Sequence, residues 1–402
     1  MMTQKGSPMP NKISRSLVGY VILTFFGYTI IGLPLAVLPF FINKVLGYNT
    51  IIAGLVISLQ YLTTFAMRGY SGNITDKKGP KPAVLISMGS FLLSGILLWI
   101  AYECKGIPHI SLAILVITRL ITGCGEGMIG ASPINWAMLA LGDQHTGTAI
   151  SFNGIASYGG LAIGAPLGVY LEKFIGIEGV AIIIMAIAVT GYLVAHRKKA
   201  YRNEIIENRQ SFMKVLAKVS PYGICLALGG LGFGTLSTFI TLYYDYMHWT
   251  NGALCLTVFG ATFILTRVVF SNAIKTYGGI KVSIASFAVE AIGLAILAYA
   301  PNVWLALLGA GITGCGFALV FPALGVEAVN LVSASNKGSA LAGYGLFIDI
   351  SLGITGPLVG AVGEHWGMDK IFPFSMFVVV IGLLLSIYLG KKRAVTISPS
   401  GN

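Results

Sequence analysis

Long apolar segments constrain the fold of this chain more than any other feature of its sequence. A helix that crosses a lipid bilayer needs about 20 mostly apolar residues, and twelve segments of this kind occur in the 402 residues. They are Val18–Ile42, Ile51–Tyr70, Pro82–Tyr102, Ile110–Leu141, Gly147–Leu171, Gly179–Ala195, Ser220–Tyr244, Gly252–Asn272, Val282–Ala300, Val303–Val332, Gly338–Gly363 and Ile371–Leu389. The sequence therefore predicts an all-α integral membrane protein with twelve transmembrane helices.

Composition excludes the main alternatives to a membrane protein. Charged residues make up only 10% of the chain, whereas ordinary soluble domains carry about 25%. Hydrophobic residues make up 55%, which is too many for a disordered chain. The net charge of +12 does not indicate nucleic-acid binding, because the basic residues are not grouped on one exposed face. We therefore expect the lipid bilayer, and no nucleic acid, as a partner.

The positions of the basic residues predict the orientation in the membrane. If the N-terminus is cytoplasmic, 20 of the 26 basic residues fall in inner loops and termini. Four fall on the outer side, and Arg119 and Arg267 lie within predicted spans. Because the cytoplasmic loops of membrane proteins are enriched in Lys and Arg, we expect both termini on the cytoplasmic side.

The chain also contains an internal repeat. Ile121–Gly125 recurs as Ile312–Gly316 at an offset of 191 residues, and an offset of 199 residues relates Arg68 to Arg267. Each half then has an even number of spans, so the two halves share one orientation, and a substrate site is expected between them near the membrane midplane. The predicted units are an N-terminal six-helix bundle at 1–195, a cytoplasmic linker at 196–218 and a C-terminal six-helix bundle at 219–402.

Three motifs resemble those of a known transporter family. Gly72–Lys81 is similar to the loop between spans 2 and 3 of the major facilitator superfamily, Arg119–Gly125 to its span 4 motif, and Gly160–Gly168 to the span 5 motif of its antiporters. Residues 119–176 and 321–363 also resemble the bacterial YhhS/YfcJ-type subgroup. The resemblance implies two parallel-related six-helix bundles, alternating-access transport of a small molecule, no cofactor, and a functional monomer in the bacterial inner membrane.

The loop motif predicts a conformational gate. Its predicted members are Gly72, Asp76, Lys77, Gly79, Arg68 and Arg267. Asp76 can accept hydrogen bonds from the N-terminus of a neighbouring helix, which would lock one conformation until the halves move. The second half has Lys275 where the first has Asp76, so we expect the lock on one side only. The alternative is a solvated turn with an ordinary surface charge.

Glycines in the fifth span predict close helix packing. Gly160, Gly164 and Gly168 recur at every fourth residue and leave one helix face without side chains. Pro166 removes a backbone hydrogen bond and favours a bend, and Pro357 occupies the matching position in the second half. The resemblance links this motif to antiport, and the alternative is helix packing without mechanistic meaning.

Charged residues inside the predicted spans are the first candidates for the mechanism, because such charges are costly in a membrane. Glu126 and Asp349 are the predicted proton-coupling residues. Burial favours the protonated form of a carboxyl group and a nearby arginine favours its charged form. An acid whose arginine partner changes between two conformations can therefore pick up and release a proton. Arg119 is a candidate for tuning Glu126 or for binding an anionic substrate, and the alternative for each acid is a static buried ion pair.

Other polar side chains within the spans are candidates for the wall of a substrate cavity. They are Gln60, Asn135, Asn153, Tyr158 and Tyr344. Glu327, near a helix end, is expected to make a structural hydrogen bond, and Glu290 lies in a span that is peripheral in the resembled family. The five scattered cysteines have no metal-ligand spacing, so no metal site is expected.

The sequence favours secondary active transport, with proton-coupled export of a small organic molecule as the leading hypothesis. One alternative is import of a polar or anionic nutrient or of a metal-chelating siderophore. Another is a membrane receptor without transport activity. An enzyme and an ATP-driven pump are disfavoured, because the chain has no nucleotide-binding loop, metal cluster or hydrolase elbow.

Overall fold

Helices make up nearly all of the described chain in the computed structural model of this protein. The structure describes residues 11–142, 146–202, 211–270, 272–332 and 337–397, and no strand occurs in these ranges. Within them, the side chains of residues 11–15, 73, 76, 77, 146–148, 150, 151, 253, 337–339, 342 and 393–397 are not described.

The helices of the first half follow the predicted spans. Their bounds are α1 Asn11–Gly32, α2 Val37–Phe40, α3 Thr50–Lys78, α4 Pro80–Glu103, α5 Pro108–Ile129, α6 Ser132–Leu141 and α7 Thr146–Arg197. A π-helical turn, Phe41–Val45, follows α2, and a 3₁₀ turn, Cys104–Gly106, follows α4. The first predicted span thus consists of α1, α2 and the π-helical turn, and the fourth consists of α5 and α6.

The second half repeats this arrangement with fewer interruptions. Its helices are α8 Phe212–Tyr246, α9 Ala253–Val269, α10 Ala273–Tyr277, α11 Gly279–Ala298, α12 Val303–Val329, α13 Lys337–Trp366 and α14 Ile371–Ile397. A 3₁₀ turn, Met368–Lys370, separates α13 from α14.

Gly176 explains why α7 contains two predicted spans. Its φ of 80° and ψ of −178° lie outside the helical region, in a conformation that glycine adopts readily. The helix therefore breaks there, with the fifth span before the glycine and the sixth after it. In the described ranges, ten helices are long and apolar enough to cross a membrane, and Leu254–Val269 is a shorter apolar helix. With α7 counted as two spans, all twelve predicted spans are helical, and the predicted all-α membrane fold is confirmed.

The glycine face of α7 packs against α1 within the first half. A Cβ atom added at Gly160 would lie 2.8 Å from the Phe25 carbonyl oxygen, and one at Gly168 would overlap the Leu33 carbonyl at the end of α1. Gly164, one turn from each, meets the backbone of α1 in the same way. Because real Cβ atoms do not approach a backbone so closely, only glycine permits this helix contact.

Both predicted prolines lie within long helices, beside close helix contacts. Pro166 lies in α7, between Gly164 and Gly168. Pro357 lies in α13 and directly follows Gly356, the residue by which α13 approaches α3. Each proline removes one backbone hydrogen bond from its helix, next to a glycine that contacts a neighbouring helix.

In the described ranges, the contacts between the two halves include those of α3 with α13, α7 with α9, and α2 with α8. Between α3 and α13, Gly54 and Gly356 face each other so closely that a Cβ on either would overlap the carbonyl oxygen of the other. Between α7 and α9, a Cβ at Gly260 would lie 2.7 Å from the Ala162 carbonyl oxygen. The halves therefore meet at backbone distance in both places.

The helix α8 begins inside the segment that the sequence assigns to the linker. Its first residue is Phe212, so residues 212–218 of the predicted linker are helical and continuous with the seventh span. Residues 203–210 of the same segment lie outside the described residues.

Candidate functional site

A hydrogen-bonded network between α3 and α5 contains three of the predicted site residues. Gln60 of α3 lies between Arg119 and Glu126 of α5, which are 1% and 3% exposed. Its Oε1 accepts a hydrogen bond from Arg119 Nη1 at 3.0 Å, and its Nε2 donates to Glu126 Oε2 at 2.8 Å. Thr64 Oγ1, one turn along α3, donates to the same carboxylate oxygen at 2.9 Å. The side-chain amide of Gln60 therefore links the guanidinium group of Arg119 to the carboxylate of Glu126 by two hydrogen bonds.

Two further predicted residues meet across the two halves. Arg68 of α3 and Asp349 of α13 form an ion pair, with Nη2 and Oδ2 separated by 2.6 Å. Asp349 is 4% exposed and the Arg68 side chain 20%. The sequence assigns Arg68 to the gate and Asp349 to proton coupling, and the structure places both in one contact. We call these two residues the Arg68 pair.

Arg267 of α9 makes a different contact with the opposite half. Its guanidinium carbon lies 4.7 Å from the ring centre of Tyr158 in α7 and 4.8 Å from that of Phe263. Its Nε donates to the Ala318 carbonyl oxygen at 2.9 Å. Among the described residues, Arg267 forms no ion pair. We call Arg267 and Tyr158 the Arg267 pair.

The internal repeat relates these two pairs. The two arginines are 199 residues apart, and Tyr158 and Asp349 are 191 residues apart, which are the two offsets of the repeat. A glycine also lies beside each arginine at positions related by 191 residues. A Cβ at Gly154 would lie 3.4 Å from Nη1 of the second arginine, and one at Gly345 would lie 3.9 Å from Nη1 of the first. The two pairs are therefore related by pseudo-symmetry. In the sequence, the offset of 199 residues relates the arginines and the offset of 191 residues relates their partners.

Aromatic side chains surround the Arg267 pair. The ring centre of Tyr158 lies 5.5 Å from those of Phe263 and Phe321, and 6.3 Å from that of Phe317. Phe233 stacks on Phe317 at 5.3 Å, with 9° between the ring planes. Apolar patterning does not reveal this cluster, because a phenylalanine in a predicted span is equally typical of a lipid-facing position.

Of the remaining predicted cavity residues, Tyr344 adjoins the aromatic cluster through Phe321, with ring centres 5.1 Å apart, whereas Asn153 and Asn135 lie elsewhere. Asn153 Oδ1 accepts a hydrogen bond from Thr24 Oγ1 at 2.7 Å, which joins α7 to α1. Tyr344 donates its hydroxyl proton to the Phe321 carbonyl oxygen at 2.9 Å, which joins α13 to α12. Asn135 lies partly exposed on α6, and within the described part of the chain no hydrogen bond joins its side chain to these networks.

The predicted gate is described only in part. The side chains of Asp76 and Lys77 lie outside the described residues. Gly79 follows the last residue of α3 and has a φ of 86°, a left-handed conformation that favours glycine. Gly72 has open space where a Cβ would be. The two arginines assigned to the gate lie in the pairs between the halves.

Two acids of the second half lie outside these networks. Glu327 Oε1 accepts a hydrogen bond at 3.1 Å from the backbone N–H of Gly279, the first residue of α11, so the predicted structural hydrogen bond is confirmed. Glu290 is fully buried, and neither of its oxygens has a hydrogen-bond partner within the described ranges. It packs against glycines of α8 and α12, which are Gly232 and Gly316.

Comparison with known proteins identifies the family of the chain. A family model described as Major Facilitator Superfamily matches residues 20–269 and 250–401. The chain belongs to the major facilitator superfamily. An uncharacterized MFS-type transporter of Pseudomonas aeruginosa (strain UCBPP-PA14) is 46% identical over 380 residues, which cover 94% of each chain. A relative of the same description from Burkholderia pseudomallei (strain 668) is 45% identical over 378 residues, covering 94% of this chain and 93% of its own.

Two solved transporters have a similar fold. A mutant of the nucleoside transporter NupG matches with a TM-score of 0.73 and 16% identity, over 93% of this chain and 99% of that chain. The human organic anion transporter MFSD10 (TETRAN) matches with a TM-score of 0.69 and 14% identity, over 94% of this chain and all of that chain. The structural similarity establishes a common fold, and identities this low do not indicate a common substrate. This superfamily member is thus a multi-pass membrane transporter of small molecules and not an enzyme, as its motifs predict.

Proposed function

We propose that this superfamily member is a proton-coupled secondary transporter that exports a small organic molecule across the bacterial cytoplasmic membrane by alternating access. The observation that carries the proposal is the ion pair between Arg68 and Asp349, because its two members belong to different halves. The basic loop residues favour cytoplasmic termini. The resemblance of Gly160–Gly168 to an antiporter motif favours export.

The Arg68 pair links protonation to movement of the halves. At a separation of 2.6 Å, the arginine stabilises the charged carboxylate of Asp349. When α3 and α13 separate, the carboxylate loses this partner while it stays in a low-dielectric environment. A buried unpaired charge is costly, so the carboxyl group then takes up a proton. One conformation favours the charged form and the other the protonated form, which is what coupling requires.

Glu126 is the second proton carrier in this proposal. Its hydrogen-bond partners Gln60 and Thr64 lie in the same half, so rigid-body movement leaves them in place. Its charge also interacts with that of Arg68, and with that of Asp349. Separation of the Arg68 pair therefore changes the electrostatic field at Glu126. Asp349 is the acid that loses its partner when the halves separate, and Glu126 responds to the changed field.

Contacts between the halves support a state that is closed at one end. Thr50 Oγ1, at the start of α3, donates a hydrogen bond to the Gly360 carbonyl oxygen at 2.9 Å. Lys44 Nζ and Asp245 Oδ2, 2.5 Å apart, join the first span to the seventh. With cytoplasmic termini, this end faces the outside of the cell. The described conformation is therefore closed toward the outside of the cell.

Import by proton symport is the second candidate function, and the unpaired charge of Arg267 favours it. A buried cation without an acidic partner favours an anionic substrate. Protonation of Asp349 removes a negative charge and makes the region between the halves more positive. Proton and anion then bind in the same state, which is the thermodynamic requirement for symport.

A flux experiment tests the proposal and separates the two candidates. Purified protein is reconstituted into proteoliposomes that contain a trapped pH-sensitive dye. Labelled organic anions, cations and neutral compounds are then added outside, with the same pH on both sides of the membrane. In antiport, a compound that enters drives protons out, so the lumen becomes more alkaline. In symport, protons enter with the compound, so the lumen becomes more acidic. Entry of a compound without any proton movement would overturn proton coupling.

Substitutions of the two acids test the proton carriers. Glu126→Gln and Asp349→Asn should each abolish compound-driven proton movement. Gly89→Ala is the control, because a Cβ at Gly89 enters open space and should leave the flux unchanged. Unchanged proton movement in both acid variants would contradict the assignment.

A further inference from the structure

Arg267 carries a buried positive charge that the proposed proton coupling does not use. Its Nε donates to the Ala318 carbonyl oxygen, whereas its Nη2 is buried without a hydrogen-bond partner among the described residues. The ring faces of Tyr158 and Phe263 cover the guanidinium group. A guanidinium group presents five N–H donors in a planar fork that matches a carboxylate. Within the described part of the chain, Arg267 does not have the acidic partner that a buried arginine ordinarily has.

The charges of the three arginine networks do not balance. Arg68, Arg119 and Arg267 carry positive charges, and the acids in contact with these networks are Glu126 and Asp349. Asp349 pairs with the first arginine, and Glu126 is linked to the second through a glutamine. The charge that remains uncompensated is therefore that of Arg267. Because an isolated buried charge is unfavourable, an anion that reaches this arginine gains a strong interaction.

The repeat explains why Arg267 has no acidic partner among the described residues and how its guanidinium group can be released. Tyr158 occupies the position that Asp349 occupies in the other half. A tyrosine ring attracts a guanidinium group through a cation–π contact, so it holds Arg267 in place without neutralising it. Tyr158 lies on α7 and Arg267 on α9, which belong to different halves. Separation of the halves therefore frees the guanidinium group for another partner.

The surroundings of Arg267 indicate the chemical class of that partner. By the two repeat offsets, Gln60 corresponds to Phe259 and Glu126 corresponds to Phe317. Both phenylalanines belong to the aromatic cluster around Arg267. Polar groups of the first half are thus replaced by rings in the second, and ring faces favour an aromatic ligand through offset or edge-to-face contacts.

We propose that Arg267 recognises the carboxylate of an aromatic organic acid, and that such acids are the transported substrates. After α7 and α9 separate, the carboxylate accepts hydrogen bonds from the guanidinium group in place of the contact with Tyr158. The aromatic part of the substrate packs against Phe263 and Phe317. This inference rests on the proposed transport function and adds the substrate class to it.

Binding of 2-naphthoate to the full-length protein in lipid nanodiscs tests the inference. 2-Naphthamide has a similar shape without charge, and 2-naphthylmethylamine has the opposite charge. Affinities from ligand-dependent thermal stabilisation should decrease in the order carboxylate, amide, amine. A hydrogen bond to a charged group corresponds to about tenfold to a hundredfold in affinity. Arg267→Gln should weaken 2-naphthoate binding by about that factor and leave 2-naphthamide binding unchanged.

Two further variants complete the test. Arg197→Gln removes a charge at the exposed end of α7 and should leave the preference for the carboxylate intact. Tyr158→Asp keeps Arg267 and supplies an internal carboxylate, so it should abolish the preference while the protein remains folded. The inference is overturned if wild-type protein does not prefer 2-naphthoate at millimolar concentration, or if the preference survives in both Arg267→Gln and Tyr158→Asp. Binding in nanodiscs involves no pH gradient across the membrane. Its result therefore does not depend on whether the flux experiment detects proton coupling.

Discussion

The Arg68 pair and the Arg267 pair occupy related positions in the two halves but differ in chemistry. In the first pair the arginine lies 2.6 Å from a carboxylate oxygen of Asp349, and in the second it lies 4.7 Å from the ring centre of Tyr158. Both arginines are retained in the repeat, and only the partner differs. In the proposed mechanism, the two halves have different tasks because the partner of the repeated arginine differs between them.

The helix contacts around the two pairs differ in closeness as well. A Cβ at Gly356 would overlap the backbone of Gly54 in α3, whereas a Cβ at Gly260 in α9 would lie 2.7 Å from the Ala162 carbonyl oxygen. The contact that contains the ion pair is therefore the tighter one. Both differences can be tested by substitution.

Asp349→Ala should have the largest effect on stability. Removing one member of a buried ion pair leaves the other charge uncompensated, which costs about 3–5 kcal/mol. The free energy of unfolding, measured in one detergent for all variants, should fall by this amount in Asp349→Ala. It should fall by less in the double variant Arg68→Gln/Asp349→Ala. A double variant as unstable as the single one would mean that the two charges do not interact.

Gly356→Ala should have the next largest effect. The added methyl group overlaps the backbone of α3, and overpacking of this kind costs about 1–3 kcal/mol. Gly260→Ala should cost less, because its contact is less close. Gly89→Ala, in open space on α4, should be neutral or stabilising by up to about 1 kcal/mol. Equal losses at Gly356 and Gly260 would show that the two contacts are equally tight.

Tyr158→Leu should have a smaller effect. It keeps an apolar side chain but removes the cation–π contact with Arg267, which is worth about 0.5–2 kcal/mol. Tyr158→Phe keeps a ring and should retain most of that contact. Measured by the same unfolding experiment, equal losses for the two variants would assign the contact to the hydroxyl group and not to the ring.

Lys44→Ala should have the smallest effect. Its ion pair with Asp245 also joins the two halves, but each side chain is 44% exposed. Exposed pairs contribute about 0–1 kcal/mol, and salt weakens them further. A double-mutant cycle with Asp245→Ala measures the coupling. A coupling energy as large as that of the Arg68 pair would contradict the view that burial sets the difference.

The fold was largely predictable from the sequence because the bilayer imposes a simple rule. Apolar length alone identifies spans, and Gly176 marks the break between two spans that α7 joins. The start of α8 was not predictable in this way. Phe212–Lys218 contains basic residues that are typical of a cytoplasmic linker, yet these residues continue the helix into the seventh span.

The sequence names candidate residues for the site but not the contacts that join them. Intramembrane charge identifies Arg119, Glu126 and Asp349, because such residues are costly in a membrane. Their partners depend on which helices touch, and local patterns do not contain that information. The repeat offsets do contain part of it, since they relate Tyr158 to Asp349. The mediating position of Gln60 depends on side-chain geometry, which only the folded chain defines.

Comparing substrate exchange with substrate accumulation in Arg68→Gln/Asp349→Asn is the most direct test of proton coupling by the Arg68 pair. This variant removes both charges of the Arg68 pair, so neither partner is left as an unpaired buried charge that would destabilise the protein. In proteoliposomes, a labelled compound that wild-type protein transports should still exchange across the membrane, because the halves can still move. A pH gradient should no longer drive its accumulation. Accumulation equal to that of wild-type protein would contradict the claim that the Arg68 pair couples protons to transport.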